Sequence, residues 1–80
     1  MPRAVRPVKR PGAAEAQLNT ALQQSNLGSF TEARQLFAAA RPAGSGSPVL
    51  ARMLRNYEAM DALNQRQPAR ALALLDAPLA

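Results

Sequence analysis

The 80-residue chain contains no cysteine and no histidine. Disulfide frameworks, thiolate zinc sites, cysteine nucleophiles and imidazole acid–base chemistry are thereby excluded. Aromatic side chains are few, namely Phe30, Phe37 and Tyr57. The β-branched residues are Val5, Val8, Thr20, Thr31 and Val49, a supply too small to furnish a sheet. No apolar run approaches the ~20 residues of a membrane span. The basic N-terminus is not followed by the apolar stretch of a secretory signal. The cytoplasm is therefore the expected location.

What remains is rich in Ala, Leu, Arg, Gln and Glu, all good helix formers. An all-α fold follows. Charge is unevenly spread. Arg3, Arg6, Lys9 and Arg10 meet no acid in residues 1–12, whereas the rest of the chain sets six arginines against five acids. Pro2, Pro7, Pro11 and Gly12 break helical geometry in that same stretch. Residues 1–12 read as a basic, Pro-rich disordered leader, and 13–80 as one helical domain.

Four helices are expected. The first spans about Ala13–Asn26, with Ala14, Leu18, Ala21, Leu22 and Ser25 along one face and Gly28 as its stop. Ser29 and Glu32 fit a capping box for the second, which should end by Arg41 because Pro42 disfavours helix before it. Residues 42–47 read as a flexible Gly/Ser loop. Ser47 then caps a third helix with Pro48 in its first turn, running to about Gln65. Its stripe is Leu50, Met53, Leu54, Tyr57, Met60 and Leu63 or Asn64. Pro68 opens a fourth helix and Pro78 closes it.

The second half repeats the first at an offset of 38 residues. Ala21 meets Ala59, Asn26 meets Asn64, Ala33 meets Ala71, Leu36 meets Leu74, and Phe37 meets Leu75. Helix pairs recurring at such a period mark repeat architectures. Within residues 14–42, Gly28, Phe30, Ala33, Phe37 and Ala40 resemble the turn glycine, turn aromatic, small packing residue, second-helix aromatic and closing alanine of a tetratricopeptide repeat. Ala21 takes the small position of the first helix, and Pro42 lies near the terminal proline. Gln17 and Thr20 depart from the early bulky positions. In residues 48–77, Arg66 and Pro68 replace the turn glycine and aromatic, leaving Ala59, Ala71 and Leu75 to carry the likeness.

The resemblance implies two antiparallel hairpins, 13–41 and 48–77, stacked as a short tetratricopeptide-like α-solenoid. It also implies an adaptor or scaffold that binds a protein or peptide in a groove, with neither cofactor nor small-molecule substrate. Carried over by position, that groove draws on Leu18, Leu22 and Asn26 of the first helix, beside Glu15 and Ser25. Met53, Asn56, Met60 and Asn64 of the third helix correspond, beside Leu63. Asn26 and Asn64 either clamp an extended ligand's backbone or cap their helix C-termini. Methionine at 53 and 60 suits an adaptable contact surface or plain core.

The last helix, through Leu72, Leu75 and Leu79, is apolar on nearly every side. Terminal repeats normally turn a polar face outward. A further helix of a longer protein, a second copy or a partner is expected to cover it, so self-association through this helix is one outcome. Two other functional readings are open: a chaperone-like subunit that holds a partner helix, and a nucleic-acid-associated protein acting through the leader. The latter is disfavoured, because the leader carries no aromatics for base stacking. Glu58 and Asp61 lie three apart on one helix, near Arg52 and Arg55, and read as ordinary surface ion pairing rather than catalysis.

Overall fold

The computed structural model describes residues 12–78. They form four helices, α1 (Gly12–Asn26), α2 (Phe30–Ser45), α3 (Pro48–Asn64) and α4 (Pro68–Asp76), and no strand occurs among them. The all-α expectation is met. Except for Gly12, the basic leader lies outside the described residues, as does Leu79.

Successive helices pack on one another, and α1 also packs on α3. Among the described residues α4 packs on α3 alone. The shape is accordingly elongated, 51 × 29 × 13 Å. Its main core joins Leu18 and Ala21 of α1, Ala33, Phe37 and Ala40 of α2, and Leu54 of α3. Leu36, Leu50, Met53 and Tyr57 pack around this cluster. Alanine at 21 and 33, both fully buried, lets backbones approach closely, while Phe37 and Leu18 fill the space beside them. A smaller core of Ala59, Ala62 and Ala71, flanked by Leu74, joins α3 to α4. Ala59 and Ala71 are Ala21 and Ala33 displaced by 38 residues, so the two cores are built on equivalent positions.

The turns repeat in the same way. After α1, the Gly28 N–H donates to the Ser25 carbonyl at 3.0 Å and the Ser29 N–H to the Gln24 carbonyl at 2.8 Å. After α3, the Arg66 N–H donates to the Leu63 carbonyl at 2.9 Å and the Gln67 N–H to the Ala62 carbonyl at 2.8 Å. Each pair is a Schellman closure, which requires a left-handed residue. Gly28 supplies it at φ 89°, and Arg66 at φ 62°. The arginine bears the Cβ crowding that glycine avoids.

Three features differ from the sequence reading. The second helix does not stop at Arg41. It continues through Pro42 for one more turn, so the expected 42–47 loop shrinks to Gly46 and Ser47. Pro42 forgoes only the bond to the Ala38 carbonyl, and this extra turn lies on α3, with Gly44 against Ala51 and Leu54. No capping box forms at Ser29, whose side chain makes no cap bond. The Ser29 N–H that Glu32 would need is already donated to Gln24. Along α3, the stripe rotates after Tyr57. Met60 and Leu63 are exposed, and Ala59 and Ala62 turn inward to α4. Ser47 behaves as expected, its Oγ accepting the Leu50 N–H at 3.2 Å.

Two outcomes follow for urea unfolding. Phe37→Ala should lower stability by about 3–5 kcal/mol, most of what a domain of this size possesses. The two left-handed positions should respond with opposite signs: Gly28→Ala destabilises by about 1 kcal/mol, while Arg66→Gly stabilises by about 0.5–1 kcal/mol after its unfolded-state entropy is counted.

Candidate functional site

The helices α1 and α3 lie side by side with repeat-equivalent residues in contact. The Tyr57 hydroxyl donates to Asn19 Oδ1 at 2.9 Å. Asn64 Nδ2 donates to Asn26 Oδ1 at 2.9 Å and to Ser25 Oγ at 2.8 Å. The residues of the first two pairs are 38 apart, which is the repeat offset itself. Such pairing requires consecutive first helices to run in the same direction, one helix width apart, as in a solenoid.

A helix turns about 100° per residue. On α1, positions 15, 19, 22 and 26 therefore share a face, and on α3 positions 53, 57, 60 and 64 do. The polar bonds above join these two rows into one surface. Of the expected groove residues, Leu22, Asn26, Met53, Met60 and Asn64 fall on it. Leu22 is half-buried and Met60 exposed, while Met53 packs on the main core. Two expected residues do not belong. Leu18 is 1% exposed and sits in the core, where it seals the junction between the hairpins. Asn56, its equivalent, falls outside the row of positions 53, 57, 60 and 64 on α3. Sequence reasoning missed Asn19 and Tyr57, although both stand at the repeat offset and could have been found from it.

The asparagines neither cap their helices nor stand free. Backbone bonds already close both C-termini, and the two amides bond to each other. Their remaining capacity is limited to the Asn64 carbonyl and the Asn26 amide hydrogens. Ser25 is buried, with its hydroxyl fixed from outside by Asn64.

A concavity of about 320 Å³ is lined by residues of α2, α3 and α4. Arg34, Arg41 and Arg70 line it together with Glu58 and Asp61. Glu58 pairs with Arg41 across the hairpins, not with Arg52 or Arg55 on its own helix. Asp61 is buried. Its Oδ2 accepts from Gln65 Nε2 at 2.8 Å, and its Oδ1 has no partner among the described residues. The three guanidiniums around these carboxylates make the cleft an electrostatic seam between the hairpins. Three or more potential metal ligands do not gather anywhere among the described residues. None of the helices there is long and apolar enough to cross a membrane.

No protein-family model matches the chain, and no curated protein or solved structure shows significant similarity to it.

The rung at Asn64 is measurable. Asn64→Ala removes two hydrogen bonds and leaves the Ser25 hydroxyl unsatisfied, so it should cost about 1–2 kcal/mol. In a double-mutant cycle with Asn26→Ala, thermal unfolding should show a coupling of at least about 0.5 kcal/mol, as expected for residues in contact.

Proposed function

We propose that the chain is a tetratricopeptide-like interaction module that binds a peptide or a single helix of a protein partner along the joined face of α1 and α3. The observation that carries this reading is the recurrence of turn geometry, core alanines and cross-helix bonds at one fixed offset. A unit repeated in this way leaves its first helices aligned in one surface. That alignment is the arrangement on which repeat proteins present extended binding faces. The offset of 38 residues exceeds the roughly 34 of a tetratricopeptide repeat by about one helical turn. That surplus corresponds to the extra turn of α2 through Pro42–Ser45.

The chemistry of the face suits a backbone ligand more than a charged one. Asn19, Asn26 and Asn64 supply amides, Tyr57 a hydroxyl, and Leu22, Met53 and Met60 apolar area. Amides both donate and accept, so they can pair with peptide groups irrespective of sequence. Methionines repack around side chains of differing shape. Glu15 is the sole formal charge in the two rows. A protein or peptide partner bound with modest sequence selectivity fits that composition better than nucleic acid does.

Leu22→Arg tests the assignment. The substitution places an unpaired charge in the middle of the face while leaving Ala21 and Ser25 in the core. In a pull-down from cell extract, capture of partner protein should fall at least about tenfold, and the far-UV circular dichroism spectrum should retain its helical shape. Undiminished capture would remove this face from the interface.

A further inference from the structure

The repeat offset also says what the exposed apolar residues of the second hairpin are for. In the first hairpin, Ser25, Arg34 and Phe37 lie toward α3. Ser25 and Phe37 are buried, Ser25 is bonded to Asn64, and Arg34 and Phe37 line the cleft with Glu58 and Asp61. Moving each by 38 residues gives Leu63, Leu72 and Leu75. These are 55%, 67% and 45% exposed. Among the described residues, the second hairpin thus leaves uncovered the same face with which the first hairpin grips its neighbour.

Its chemistry differs at two places. Ser25, which accepts from Asn64, is replaced by Leu63, and Arg34, which faces acidic α3, is replaced by Leu72. An occupant of the second face therefore offers apolar groups where α3 offered carboxylates. The chain's own opposite end cannot supply them. The α1 residues equivalent to those that α3 turns toward the first hairpin are Gly12, Glu15, Ala16, Asn19, Thr20 and Gln23. All are exposed, and none has a large apolar side chain. Head-to-tail stacking of copies would set this polar row on three apolar residues. A two-fold arrangement meets no such mismatch. Identical faces oppose one another, and the face that would repel itself if it carried arginine carries leucine instead.

We infer that two copies of this chain associate tail to tail through the outer face of α3 and α4, with Leu63, Leu72 and Leu75 at its centre. The surface is isologous and closes at two copies. It is separate from the proposed partner-binding rows, so dimerisation and partner capture can succeed or fail independently.

Sedimentation velocity of the intact chain over a concentration series reads the assembly directly. The expected result is a concentration-dependent species of twice the chain mass. Leu72→Arg should weaken it at least about tenfold, while Leu27→Arg, an exposed change in the α1–α2 turn, should leave it intact. Because the chain has no cysteine, Leu63→Cys gives one label site per copy. Dipolar spectroscopy of the spin-labelled protein should then show a short label-to-label distance, which a fold defect in the arginine variant cannot mimic. A monomer throughout the series would overturn the inference. So would growth beyond two copies, a dimer indifferent to Leu72→Arg, or labels too distant to interact.

Discussion

Everything in this molecule hangs on how closely α2 and α3 can approach α1. Alanine at 21, 33 and 40 removes the bulk that would hold the backbones apart, and Phe37 with Leu18 fills what is left. Neither hairpin could bury that set alone. The first hairpin needs Leu54, Leu50 and Tyr57 of α3 to close its core, so the two hairpins stabilise one another through a shared seam. This interdependence is the ordinary condition of repeat proteins, whose units are held by their neighbours.

The seam has a polar margin on each side of α3. On one, Asn19, Asn26, Tyr57 and Asn64 bond across the first helices. On the other, arginines of α2 face carboxylates of α3. These interactions are individually modest, since exposed ion pairs contribute at most about 1 kcal/mol. Their effect is on register. A slide of α3 along α1 would break the amide rungs and the Arg41–Glu58 pair together, so the apolar contacts are held at one setting.

The stack also has a direction. Its α1 side is polar and its α4 side is apolar, although both belong to the same kind of unit. The second hairpin keeps the buried alanines of the first but exchanges Phe37 for Leu75 and Arg34 for Leu72. Leu75 remains substantially exposed where Phe37 is buried, because among the described residues α4 packs on α3 alone. The same residue position can thus be core or surface, depending only on whether another helix follows in space.

Composition and periodicity determined much of this protein unaided. Scarce β-branched residues and regularly spaced Ala and Leu dictated helices, Ser47–Pro48 and Pro68 marked two starts, and the 38-residue echo predicted paired hairpins. Local signals failed where tertiary contacts outbid them. Pro42 remains helical because the turn beyond it packs on α3, and the Ser29 capping box yields its N–H to the closure of α1. Arg66 takes a left-handed conformation that no local preference favours, because the closure of α3 through the Arg66 and Gln67 N–H groups requires one there. The distinction between Leu18 as core and Leu22 as half-buried, and the Asn19–Tyr57 rung, depended on which side of α1 receives α3. That choice arises from packing between segments far apart in sequence, and one-dimensional spacing does not encode the rotation of one helix against another.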